Sequence, residues 1–306
     1  MDYSPIIKEI GRGAKGARAL DTAAAQALFG AILDRRVPDL ELGAILIALR
    51  IKSETRDELL GFKRAMDERG VRIAVPDGPR CVVLPTYNGA RRQPNLMPLV
   101  ALLLAREGIP VLIQGRHDFE SRVSPFELLA ALGIESAVTP AAAGAQLAAT
   151  HLACIGVADL LPGLDALLAL RKRFGLRGSG HIMAKLLDPC PGRSVRVVAV
   201  THPEYLERMD AFLRADGGRA MLLRGTEGEI YANPRRQPTL TVYRDGAATV
   251  AVTGEDGGAP PLDGLPATPS VADNVAIIRA MLDGRQPVPE PIRTQVDTLA
   301  ALAREP

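Results

Sequence analysis

LPTYNGARRQPNL runs from Leu84 to Leu96, MPLVALLLAREGIPVLI from Met97 to Ile113, and QGRHDFESRVSPFELLAALG from Gln114 to Gly133. The apolar run from Cys81 to Leu84 reads as a strand, the Pro/Asn/Gly cluster after it as a loop, and Leu96 to Arg106 as a buried helix. Gly108 and Pro110 break that helix, and Val111 to Ile113 make a second strand with a basic loop after it. Strand, helix, strand is a βαβ unit. It places both post-strand loops on one edge of a parallel sheet, the edge at which open α/β sheets bind ligands. Both loops carry arginine: Arg91 and Arg92 in the first, Arg116 and Arg122 in the second.

Upstream, residues 1 to about 70 read as helices. Asp21-Thr22 caps one through Leu33, Pro38-Asp39 starts another, and Thr55-Arg56-Asp57-Glu58 is a capping box for a third. From about Gly70 the period changes. Val82–Leu84, Val111–Ile113, Val195–Val200 and Ala220–Leu223 are strand-like, with helices between them such as Pro125 to Leu132, Leu164 to Phe174, Glu204 to Leu213 and Val271 to Leu282. Thr239–Val242 and Thr249–Val252 alternate around Asp245-Gly246, a hairpin signal. Gly254 to Pro269 reads as an exposed loop, and the last twenty residues as weakly specified helix. The expected fold class is α/β: an N-terminal helical domain over 1–72, with 160–185 packing against it, and a larger α/β domain over 73–306 with a mainly parallel central sheet.

The bulk numbers restrict the function. Of the 306 residues 47% are apolar and 24% charged, the balance of a soluble globular protein with a full core. Aromatics are 4% with no Trp, which argues against base stacking as a main device. The net charge is only +2, but seven bases (Arg171, Lys172, Arg173, Arg177, Lys185, Arg193, Arg196) stand against Asp188 between Leu168 and His202. Cys81, Cys154 and Cys190 are far apart and form no CxxC, so buried thiols in a reducing compartment are expected. The four histidines lack ligand spacing, so no zinc site is expected. No signal-peptide core and no apolar run long enough for a bilayer is present, which leads to a cytoplasmic protein with no membrane partner.

Ile7 to Met66 resembles the helical domain of anthranilate phosphoribosyltransferase, most clearly at ALRIKSET (Ala48 to Thr55), which is similar to that family's ALRxKGET. RKRFGLRGSGHIMAKLLDP (Arg171 to Pro189) is similar to its LGxRTxFNxLGPLxNP stretch, and RAMLLRGTEGEIY to its strand and HGxDGxDE loop. The resemblance covers most of the chain. It implies a phosphoribosyltransferase-like helical domain joined to an α/β domain, as a homodimer built through the helical domain.

The motifs that carry that family's chemistry are replaced. In place of its pyrophosphate-gripping GTGGD stand Pro85-Thr86-Tyr87-Asn88-Gly89. Bare backbone N–H groups make such a loop work, and Pro85 has none. KHGNR becomes Ile113-Gln114-Gly115-Arg116-His117, the magnesium-holding acids fall at Ile230-Tyr231, and the histidine before the loop glycine becomes Arg224. Asn95, Arg177 and Pro189 survive, with Glu127 where the family carries Asp. This pattern resembles the non-biosynthetic YbiB-like group, as NGARRQPN (Asn88 to Asn95) suggests. That resemblance implies sequence-independent binding of DNA or RNA by a dimer; with the family's motifs replaced, no cofactor, no metal and no catalytic residue is expected.

The candidate phosphate contacts are Arg91, Arg92, Arg116, Arg122, Arg171, Lys172, Arg173, Arg177, Lys185, Arg235 and Arg236, on basic loops expected to border an interdomain cleft. Thr86, Tyr87, Asn88, Gly89 and Asn95 mark the former phosphate loop. Each set has a plainer reading. Arg91-Arg92 and Arg235-Arg236 sit on loops where solvated arginines are ordinary. The macrodipole favours Arg171, Lys172 and Arg173 at a helix C-terminus, although it leaves Arg177 and Lys185 unexplained. Gly178-Ser179-Gly180 reads as a flexible loop or a small anion nest. Loss of the metal acids beside Arg235-Arg236 is expected to reverse the local field, so that phosphate binds directly. Two further classes stay open: an active phosphoribosyl or glycosyl transferase with altered substrate, and a protein-interaction module that keeps the scaffold.

Overall fold

The computed structural model describes residues 2–116, 121–261, 264–266 and 270–306. They fall into two compact units: Met1–Val71 with Leu160–Leu187, and Arg72–Asp159 with Asp188–Pro306.

The first unit is helical. Its main helices are Thr22–Leu33, Asp39–Lys52, Arg56–Asp67 and Pro162–Ala169. Their starts are written in the sequence. The Asp21 carboxylate accepts the N–H of Ala24 at 2.8 Å, and Thr55 with Glu58 forms a reciprocal capping box. Phe29 and Phe62 stack at 4.6 Å between centroids and, with Leu28, Ile45, Leu49 and Leu59, are fully buried. Glu58 is itself buried. Its carboxylate accepts from Lys52 Nζ at 2.6 Å and from the N–H groups of Leu20 and Thr55 at 3.0 and 2.8 Å, so the buried charge has a counter-ion and donors.

The second unit is built on a sheet that, among the described residues, has seven strands: β1 (Cys81–Thr86), β2 (Val111–Gly115), β3 (Leu152–Gly156), β4 (Ser194–Val200), β5 (Arg219–Arg224), β6 (Leu240–Arg244) and β7 (Ala247–Val252). Their order is β3-β2-β1-β4-β5-β6-β7. β1 to β5 pair in parallel, and β6 and β7 add antiparallel. β1, β2 and β4 are buried along their whole length, as helix cover on both faces requires. The chain runs outward from β1 to β3, then returns to the other side of β1 with β4. The order therefore reverses between β1 and β4, and the crevice beyond their C-terminal ends is a topological switch point.

The structure adds elements to those read from the sequence and alters others. β3 and the helix Pro140–Thr150 before it were not expected; His151 ends that helix in the left-handed conformation at φ 58°, a stop that no glycine announces. The helix expected over Leu164 to Phe174 divides at Leu170 into Pro162–Ala169 and Arg171–Phe174. Gly178 to Gly180 is neither flexible loop nor nest. The helix Ser179–Ala184 starts there, and the buried Ser179 hydroxyl donates to the Glu54 carboxylate. The tail is the firm helix Glu290–Arg304, with Ile292, Val296 and Leu299 in the core. Within the expected loop over 254–269, residues 262, 263 and 267–269 lie outside the described residues.

Candidate functional site

The loop from Thr86 to Asn95 leaves β1 at the switch point. Thr86, Tyr87, Asn88 and Asn95 are all buried. The Tyr87 hydroxyl donates to Gln114, which stands within the former KHGNR stretch. Asn95 donates its N–H to Asn274 Oδ1 at 2.6 Å and its side-chain amide to the Val123 carbonyl at 3.1 Å. Ala90 pairs with Val123 of the second loop, and the Arg122 guanidinium donates to the Gly89 carbonyl at 3.3 Å. These loops are fastened to each other by their own side chains.

The loop after β5 fastens them further. Thr226-Glu227-Gly228-Glu229 is a tight turn closed by Glu229 N–H to Thr226 O at 2.9 Å, with φ of 52° at Glu227 and 90° at Gly228. Positive φ at both central positions is the type I′ pattern, and a glutamate in the first of them is uncommon. The turn aims two carboxylates at the β1 loop. Glu229, fully buried, accepts through Oε1 from the N–H groups of Asn88 at 3.0 Å and Gly89 at 2.8 Å. Glu227 accepts from the N–H groups of Arg91 at 3.2 Å and Arg92 at 3.0 Å. The Asn88 side chain closes the contact by donating to the Gly228 carbonyl at 2.7 Å. A Cβ on Gly228 would lie 2.4 Å from that amide nitrogen, so the residue must be glycine for space as well as for φ.

One sequence expectation changes here. The local field is not reversed, because Glu227 and Glu229 stand in the loop whose metal acids were read as lost. Asn88, at the former phosphate loop, has its main chain and side chain both committed to the 228–229 turn. Ile230 and Tyr231, where the family's acids fall, point into the core at 1% and 0% exposure. Burial first, then the carboxylates of Glu227 and Glu229, push the Tyr231 phenol well above its ordinary pKa, which keeps it a neutral donor to the Pro94 carbonyl at 2.9 Å. Among the described residues no group of three or more His, Cys, Asp or Glu is gathered for a metal ion.

The proposed contacts divide between the units. In the second, Arg91 and Arg92 are exposed, Arg116 and Arg122 are half-buried, and His117 lies outside the described residues. Arg235 and Arg236 are half-buried in the turn that follows Asn233. A cavity of about 860 Å³ opens beside β5 and β6, with Arg224, Arg236 and Gln93 in its wall. Glu207, Asp210, Glu227, Glu255 and Asp256 line it as well, so its potential does not suit a polyanion. In the first unit Lys172 and Arg173 are exposed, whereas Arg171, Arg177 and Lys185 are half-buried. Arg173 lies 3.7 Å from Asp39, an exposed pair of little energetic weight. Glu127 and Ser124 form the capping box of the helix Pro125–Ala131, and the Pro189 carbonyl accepts from Ile73 at 2.8 Å, so these family-matching positions serve the fold.

The residues that sequence reasoning missed are Glu227 and Glu229. The signal was present in RGTEGEIY: a Glu-Gly pair flanked by acid, directly after a strand. Its partner loop lies about 140 residues upstream, which no local pattern discloses.

The family profile described as "Glycosyl transferase family, helical bundle domain" matches residues 4–70. Over 298 residues, covering 97% of this chain and 92% of the relative, the chain is 40% identical to "Uncharacterized protein YbiB" of Escherichia coli (strain K12). It is 29% identical to the anthranilate phosphoribosyltransferase of Methylocella silvestris, covering 92% of this chain and 80% of that one. Among solved structures it is similar to anthranilate phosphoribosyltransferase from Thermus thermophilus, with a TM-score of 0.77 and 22% identity over 99% of this chain and 88% of that chain. The Saccharomyces cerevisiae enzyme in complex with PRPP and Mg is similar at a TM-score of 0.73 and 14% identity, over 98% of this chain and 86% of that chain. With a helical bundle followed by a mostly parallel sheet, and with its phosphate-loop positions taken up in internal contacts, the chain belongs to the anthranilate phosphoribosyltransferase-like family, glycosyl transferase family 3, as a YbiB-like member.

Proposed function

We propose that this protein binds nucleic acid through the sugar-phosphate backbone, without sequence preference, as a homodimer built through its helical unit. One observation carries the reading. At the switch-point edge the amides suited to a small phosphate are engaged by Glu227 and Glu229, while the Arg91 and Arg92 side chains stay exposed on the loop those carboxylates fix. Exposed guanidiniums on a fastened loop suit a chain of phosphates, each contact gaining from counterion release. Lys172 and Arg173 supply exposed charge on the first unit.

Support for the homodimer comes from the helix Asp39–Lys52. Leu40, Ala44, Ile47 and Ile51 are spaced by four, three and four residues, so they form one stripe along it. Leu40 is 83% and Ile51 58% exposed, and Ala44 and Ile47 are half-buried. An apolar stripe of this kind on a soluble unit suits a second copy of the chain.

Titration of a labelled oligonucleotide at several salt concentrations tests the proposal. Binding should be similar for unrelated sequences and should fall steeply with salt. Absence of binding at low salt, or affinity indifferent to salt, contradicts it. The second reading, a phosphoribosyl or glycosyl transferase, is favoured by the 29% identity to a named anthranilate phosphoribosyltransferase. Calorimetry with phosphoribosyl pyrophosphate and magnesium separates the two, since tight metal-dependent binding restores the enzyme reading.

A further inference from the structure

The N–H groups of Asn88 and Gly89 converge on one carboxylate oxygen of a residue 140 positions downstream. Two neighbouring amides aimed at one point, with a residue in the left-handed region between them and the rest of the loop, form the concavity in which proteins hold anions; Gly89 has φ 66°. It lies beyond the C-terminal end of β1, at the switch point, where the fold concentrates ligand contacts. We propose that Glu229 is an internal anion that fills this cradle and closes it to free phosphate and pyrophosphate.

Four features make the contact a built device rather than an incidental hydrogen bond. Glu229 is fully buried, so its carboxylate has been taken out of water to reach the amides. The turn that delivers it adopts positive φ at Glu227, a non-glycine, which persists only where the surroundings enforce it. Gly228 leaves just the space that the Asn88 side chain needs to lock the turn from the other side. Glu227 repeats the arrangement on Arg91 and Arg92, so both ends of the loop are held by carboxylates of one turn.

A tethered carboxylate competes at an effective concentration far above that of a free anion. Phosphate must therefore displace a charged, hydrogen-bonded side chain from a buried site before it gains the same two donors. Removing the carboxylate leaves two buried N–H groups without acceptors, and a small anion is then the best available partner. The inference concerns small anions only and stands independently of nucleic-acid binding: a protein that ignores oligonucleotides can still keep this cradle shut.

The experiment follows the backbone amide signals of Asn88 and Gly89 by NMR while inorganic pyrophosphate is added to the full-length wild type and to Glu229→Ala. In wild type both signals stay in place through millimolar pyrophosphate. In Glu229→Ala they shift and saturate, with pyrophosphate affinity raised about ten- to a hundredfold, the equivalent of one or two hydrogen bonds to a charged group regained. Movement of the two wild-type amides at the same concentrations overturns the proposal, as does a folded Glu229→Ala protein that binds pyrophosphate no better than wild type. Where Glu229→Ala does not fold, Glu229→Gln, which keeps an acceptor oxygen for the two amides and removes the charge, takes its place, and a folded Glu229→Gln protein that binds pyrophosphate no better than wild type likewise overturns the proposal.

Discussion

Glu229 Oε1 accepts the backbone N–H of Asn88 at 3.0 Å, although 141 residues of chain separate the two. That contact joins the loop after β5 to the loop after β1. Its loss should therefore register as stability. Glu229→Ala strips the acceptor from two buried N–H groups, each costing about 1–3 kcal/mol when left unpaired. Equilibrium denaturation should show a loss of roughly 2–6 kcal/mol. A change within about 0.5 kcal/mol, the usual range for a surface substitution, would mean that the contact does not hold the loops together.

The buried pair of Lys52 and Glu58 gives a second test. Lys52→Met keeps the volume and removes the counter-ion, leaving a buried carboxylate held only by the donors of Leu20 and Thr55. The expected destabilisation is about 3–5 kcal/mol, because breaking one side of a buried ion pair strands the other charge. Replacing both residues by apolar ones should restore much of it, and urea unfolding of the single and double variants measures the difference.

Acid should weaken the helical unit through Asp34. Hydrogen bonds from Arg69 first, then from Arg36, hold its carboxyl at about 2, below its ordinary 3.8. A depressed carboxylate pKa stabilises the folded state fully above the ordinary value, and the contribution disappears as pH falls through about 2. The Asp34 side chain is about a third open to solvent, 33%, so screening keeps the effect small, under about 1 kcal/mol. Thermal unfolding of wild type and Asp34→Asn should differ at pH 6 and converge near pH 2. A constant difference across that range contradicts the assignment.

If the stripe on the helix Asp39–Lys52 joins two copies, Leu40→Asp with Ile51→Asp should yield a folded monomer. Light scattering coupled to size-exclusion chromatography reads the mass directly. A dimer that survives both substitutions places the interface elsewhere, and a monomeric wild type removes the dimer from the account.

How far the sequence could be read depended on the range of the interaction. The caps at Asp21 and Thr55 are local and were legible residue by residue, as were β1, β2, β4 and β5 as short apolar runs. β3 was hidden because LACIG follows an alanine-rich helix whose stop is a histidine in the left-handed region. The positive field expected at Arg235-Arg236 failed for a different reason. It counted the acids missing at Ile230-Tyr231 and not the ones present at Glu227 and Glu229, whose meaning depends on a partner loop brought near only by the order of the sheet. Strand order is a long-range property, and the positions of the acids relative to Asn88 follow from it.

The central claim, that the β1 loop has exchanged a grip on one small phosphate for exposed contacts to many, is tested most directly by the salt dependence of oligonucleotide binding by wild type and the Arg91→Ala, Arg92→Ala double variant. Neither guanidinium supports the loop, whose main-chain N–H groups remain on Glu227, so the variant should keep the wild-type unfolding midpoint. The plot of log Kobs against log salt should be linear for both proteins, and shallower for the variant by about 1.8 on duplex DNA or about 1.4 on a single strand, two phosphate contacts fewer. Affinity should fall alike for unrelated sequences. An unchanged slope and affinity in the folded double variant would contradict the account.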